Sequence, residues 1–198
     1  MQPLRLASVL VGAALFGAAG ALPAVADGFF PTQLEPADQE RLEMFDTARA
    51  DAIAEARAGG SPEEVAELDD ILAGEPMQIV PADVTGEWSC RTIKLGGTLP
   101  IVIYQEFRCR VFEDGVGLQL EKLTGSQRPY GVFYDTAELR LGFAGAVAWG
   151  DDEGRHRYGE DPERDQVGYL VQVAPDRMRL ELPLPRVESH FDILELTR

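Results

Sequence analysis

From Pro81 to the C-terminus the chain alternates apolar and polar residues with a period of two, and turn-forming residues interrupt the alternation at short intervals. No other feature constrains the fold as strongly, because a period of two places one apolar face on each segment and needs a sheet to bury it. The runs 84–95, 101–112, 116–123, 130–134, 139–149, 166–174, 178–184 and 191–197 read as eight strands. Asp114-Gly115, Asp135-Thr136-Ala137 and Ala174-Pro175-Asp176 supply tight turns between neighbours. Eight short sequential strands close most simply as an antiparallel up-and-down barrel, with a two-sheet sandwich as the competing architecture. The fold class expected is therefore mainly β. A chain of 198 residues has room for one such core and an extension.

Trp88, Phe107, Leu118, Leu120, Phe143, Tyr169, Met178 and Phe191 are the residues expected inside the barrel, and their bulk suggests a filled interior. Gly86-Glu87-Trp88 resembles the Gly-x-Trp opening of lipocalin-like barrels, in which the Trp plugs one end. Arg198 is then the residue expected to pack across it. In the run 139–149, Gly142, Ala144, Ala146 and Ala148 form a small-residue face where another element can approach closely.

That other element precedes the barrel. Pro36, Asp38 and Glu40 suit a helix start, and Leu42, Phe45, Ala48, Ala52, Ile53 and Ala56 recur at helical spacing up to Gly59-Gly60. Ser61-Pro62-Glu63-Glu64 reads as a capping box opening a second helix with Val65, Leu68 and Leu72. This helical extension, 27–80, is expected to pack on the barrel domain, 81–198, rather than to reach out as a free arm. Ahead of it, one Arg, an apolar stretch and Ala24-Val25-Ala26 have the form of a signal peptide over 1–26. A periplasmic or secreted protein follows, with no membrane span after cleavage.

Export changes the meaning of the two cysteines. Cys90 and Cys109 lie on adjacent runs joined by a Gly-Gly turn, and a symmetric hairpin sets them directly opposite, so a disulfide is expected in preference to two buried thiols. Two Cys and two distant His, His156 and His190, do not make a metal site, so no metal or cofactor is expected. A net charge of -16 excludes nucleic acid as a partner. What remains is an unidentified protein or small ligand, bound by a monomer.

Candidate binding residues gather in two loops. Thr124, Ser126, Gln127 and Arg128 place hydroxyls, an amide and a guanidinium in one turn, and Arg128 is expected to staple the acidic loop containing Arg164 and Asp165. Ser126 lacks the Gly-x-Ser-x-Gly setting of a nucleophile. The acids from Asp151 to Asp165 lack calcium-loop spacing. His190, beside Ser189 and Asp192, has the neighbours of a general base but no nucleophile to serve. Tyr104, Tyr130, Tyr134 and Tyr158 are candidates for a barrel mouth. No catalytic residue is assigned.

The blocks Cys90-Arg91-Thr92-Ile93-Lys94-Leu95-Gly96, Phe107-Arg108-Cys109-Arg110, Lys122-Leu123-Thr124-Gly125-Ser126-Gln127-Arg128-Pro129, Tyr158-Gly159-Glu160-Asp161 and Pro185-Arg186-Val187-Glu188-Ser189 resemble an exported bacterial family, domain of unknown function 4893. The resemblance runs from about Pro36 to Thr197 and implies export and a single domain, but no activity. The function expected is a non-enzymatic binding or interaction module on a disulfide-stapled barrel. The alternatives are a lipocalin-like carrier of a small apolar ligand and a barrel resembling the periplasmic inhibitors of metalloproteases; a hydrolase ranks last.

Overall fold

The computed structural model describes residues 30–136, 139–150 and 154–198. The expected signal peptide and the acids Asp151, Asp152 and Glu153 lie outside the described residues. Nine antiparallel strands are present among those described: β1 (Gly86–Leu95), β2 (Ile101–Ile103), β3 (Phe107–Asp114), β4 (Gly117–Lys122), β5 (Gln127–Asp135), β6 (Leu141–Trp149), β7 (Asp165–Ala174), β8 (Arg177–Pro183) and β9 (Phe191–Thr197). Eight of them, β1 and β3 to β9, pair in chain order, and β9 closes on β1 over Ser89 to Leu95. The up-and-down barrel read from the alternation is thus the observed fold.

The ninth strand comes from a break in the run 101–112. Its first part, β2, pairs with the upper half of β1 (Ile93↔Ile103), whereas β3 pairs with the lower half (Cys90↔Phe107, Trp88↔Cys109). Cys109 therefore sits opposite Trp88 and diagonal to Cys90, not opposite it. Diagonal neighbours on one face are still within reach, and the Cys90–Cys109 disulfide forms across a Cα separation of 5.8 Å.

The interior is apolar and filled from the Trp88 end. Trp88 donates from Nε1 to the Val84 carbonyl (2.9 Å), within a short helix α4 (Pro81–Val84) that the sequence pattern did not signal. Arg198 lies 4.2 Å from the Trp88 ring centroid, as expected. Above this plug come the disulfide, Leu120, Phe143, Leu180 and Leu194. Gly131 makes room for Phe143, since a Cβ there would stand 2.5 Å from the Phe143 ring.

Tyr169 and Phe191 correct the expected interior set, because both face outward. They pack against the extension, in one core with Phe45, Ala48, Ala52, Leu68 and Ile71. With helices on the outer face, β7, β9 and β1 are apolar on both sides, and bulk no longer tells inside from outside. The extension comprises a 3-10 turn (Phe30–Gln33), α1 (Pro36–Glu43), α2 (Phe45–Gly59) and α3 (Pro62–Leu72). The single long helix expected first is divided at Met44. Ser61 and Glu64 form the capping box of α3.

Polar clamps hold these helices to the barrel. Buried Arg41 donates to Asp38 (2.8 Å) and to the Asp165 and Pro183 carbonyls, while Tyr158 donates to Asp38 (2.9 Å). Arg179 donates to the Ile71 and Ala73 carbonyls at the end of α3, and Arg91 bridges Glu195 (2.7 Å) to Glu67. Of the small-residue face, Gly142 meets Phe30 and Ala144 joins the shared core, whereas Ala148 lies beside Glu121 and Arg155.

Candidate functional site

The end of the barrel opposite Trp88 is polar inside. Alternation carries β1 inward through Trp88, Cys90 and Thr92 to Lys94, and β4 through Leu118 and Leu120 to Lys122. These are the only two lysines in a chain with 16 arginines among its 18 basic residues. Both are buried, Lys94 with 5% and Lys122 with 4% of its surface exposed. A chain that covers its surface with guanidinium groups thus keeps both primary side-chain amines inside one barrel mouth.

Their environments differ. Lys94 faces Asp192 across the β1–β9 ladder, with Nζ 3.0 Å from Oδ2, and Glu188 stands 3.6 Å away at the lip. Ser189 donates to Asp192 at 2.5 Å. Burial pushes the Asp192 carboxyl above its usual range, against the pull of Lys94 and Ser189. Lys122 has a hydroxyl and a ring in place of a carboxylate: Nζ donates to Thr92 Oγ1 (3.1 Å) and lies 4.1 Å from the Phe107 centroid. Burial, reinforced by the Lys94 charge, lowers its amine to about 8.

Three depressions share Lys94. A cavity of about 50 Å³ is lined by Thr92, Lys94, Tyr104, Phe107, Lys122, Ser126 and Gln127. It lies beside the break between β2 and β3, where Tyr104 leaves the sheet after its backbone amide donates to the Thr92 carbonyl (3.0 Å). A groove of about 290 Å³ continues from it past Tyr104, Val102 and Leu99 to Glu188. On the other side a tight crevice brings Lys94 and Asp192 together with Gln127, Arg164 and Asp165.

The sequence-derived site residues divide accordingly. Ser126 and Gln127 reach the cavity, and Gln127, Arg164 and Asp165 line the crevice. Arg164 lies 4.4 Å from the Trp149 ring and donates to the Val147 carbonyl (3.2 Å). Asp165 accepts from the Gly159 amide (2.9 Å) and is held above the usual carboxylate range by burial, with the Asp38 charge adding to it. Thr124 accepts from the Arg108 amide (2.9 Å), and Arg128 donates to the Gly125 (2.9 Å) and Gly150 carbonyls, so these two brace the β4–β5 turn. His190 is exposed and 3.2 Å from Glu55, separated in role from the inward Asp192. Of the four tyrosines, Tyr104 lines the mouth, Tyr158 locks α1, Tyr134 stacks on Phe30, and Tyr130 donates to Gln119.

No sequence motif singles out Lys94, Lys122 and Asp192 as site residues, yet their parity marks them: each is a charge on the inward phase of its strand. No cluster of three or more metal-ligating side chains occurs among the described residues. No described helix is long and apolar enough to cross a membrane. Residues 31–196 match the family model described as "Domain of unknown function (DUF4893)". No curated protein and no solved structure matches the chain.

Proposed function

The chain belongs to that family of unknown function, and from this premise we propose that it is an exported, non-enzymatic binding module whose binding surface is the lysine-lined mouth. The observation that carries this reading is the placement of the only two lysines of the sequence: Lys94 lines all three depressions, and Lys122 lines the cavity with it. Two buried ammonium groups beside one buried carboxylate oppose folding and are tolerated where binding gives a return. The filled core supports a module that holds its ligand at the rim and weighs against a carrier that engulfs an apolar one. The disulfide fits an oxidising compartment.

Amide chemical-shift mapping with a polar extract of the cell envelope tests the reading. Shifts confined to Thr92, Lys94, Tyr104, Gln127 and Glu188 support it. Shifts confined to the outer face of the β4–β5 turn, or none at all, contradict it.

A further inference from the structure

We propose that the cavity beside Lys122 is a carboxylate site, which takes the acidic head of a ligand whose apolar remainder lies along Tyr104, Val102 and Leu99. The inference rests on the mouth being the binding surface and specifies what enters it. Lys122 has three N–H donors. One is used by Thr92, and the Phe107 face meets the ammonium without neutralising it. Among the described residues no carboxylate lies within ion-pair distance of Lys122, whereas Lys94 is matched by Asp192 and by Glu188. The cavity is therefore lined by two ammonium groups, of which Asp192 matches that of Lys94, and a monoanion matches the other. A phosphate dianion would overshoot beside Asp192 and Glu188. A cavity of about 50 Å³ also suits a planar carboxylate, with the Thr92 and Ser126 hydroxyls and the Gln127 amide as further donors.

The groove leading out is apolar along one side, where Leu99 and Tyr104 are exposed among the large hydrophobic residues. A short alkyl chain attached to the carboxylate follows it past Lys94, whose charge is matched by Asp192, along Tyr104, Val102 and Leu99 toward Glu188. Binding requires Lys122 in its ammonium form. The charged groups that face it are Lys94 and Asp192 within the mouth and Arg128 from β5, with Glu188 reaching it only through Lys94. Affinity therefore falls as pH rises and Lys122 loses its proton, and binding takes up a proton at pH 8 to 9.

Calorimetry of the intact protein with sodium hexanoate, against 1-hexanol and inorganic phosphate, provides the first test. Acetylation by acetic anhydride provides the second, since the two lysines are the only side-chain amines to be read. We expect hexanoate to bind at least tenfold more tightly than hexanol or phosphate, and at least tenfold more weakly at pH 9.5 than at pH 7. It should slow acetylation of Lys122 at least tenfold and that of Lys94 less than twofold. Lys122→Met should abolish the binding; where that variant does not fold, the labelling of the unaltered protein decides alone. Equal binding of hexanol, preference for phosphate, or equal protection of both lysines overturns the proposal. If hexanoate fails while the envelope extract still shifts the mouth, the carboxylate falls and the binding surface stands. If hexanoate protects Lys122 while the extract acts elsewhere, the reverse holds.

Discussion

Lys122 carries a charge where the fold is more stable without one. Its amine titrates at about 8 in the folded protein, against an ordinary value of 10.5. Between those values the unfolded chain binds the extra proton, so stability rises as pH increases through 8 toward 10. Below pH 8 the full penalty is present, roughly 3 kcal/mol from the size of the shift. Lys122→Met, which keeps the volume and removes the charge, should therefore raise stability at pH 7 by about 1–3 kcal/mol, and urea denaturation should show the gain shrinking toward pH 10. Asp192→Asn has the opposite sign. It strips the buried partner from Lys94 and should lower stability by about 3 kcal/mol in the same assay. Both lysines could be found by parity alone, two residues after Leu120 and after Thr92 on strands whose register the alternation defines. Arg128 reads from the sequence as a cation in a turn, where no parity exists to judge direction, whereas it is the second residue of β5.

The elements show which local patterns survive packing. The capping box of α3 and the two-residue turns at 115–116 and 175–176 depend on neighbours in sequence, and they form where read. The hairpin joining the cysteine strands depends on which partner β1 takes at each level, and β1 takes two, β2 above and β3 below. Its register therefore differs by a diagonal step from the symmetric one. Docking of the extension follows the same logic. A small-residue face was legible, but only tertiary contact determines that Gly142 and Ala144, and not Ala148, meet the helical core. A Cβ at Gly142 would stand 2.3 Å from the Phe30 ring. Gly142→Ala should thus expel Phe30 from its place against Tyr134 and Tyr169, lowering stability by about 2 kcal/mol and speeding proteolysis near residue 34. Restored resistance in Gly142→Ala with Phe30→Ala would identify the clash as the cause.

At the scale of the molecule, the barrel is closed at one end by Trp88 under Arg198 and polar at the other, with the disulfide tying the neighbouring strands β1 and β3 together on the inner face. Reducing that bond, or replacing both cysteines by Ala, should lower stability by about 2–4 kcal/mol in denaturation measurements, since it closes a loop spanning 19 positions. Barrel, strand order and disulfide were all legible, because alternation and turns recur along the whole domain and reinforce one another. The mouth was not, because it is assembled from the ends of β1, β4 and β9, which are distant in sequence and meet only on closure. The account stands on that mouth holding an under-neutralised amine that a ligand completes. Nuclear magnetic resonance of protein labelled with 13C at lysine Cε measures this directly, because only two side-chain signals exist. The account predicts that one signal, lost in Lys122→Met, titrates at about 8 and moves to higher pH in saturating hexanoate. Two signals titrating together near the ordinary lysine value, both indifferent to hexanoate, would contradict it.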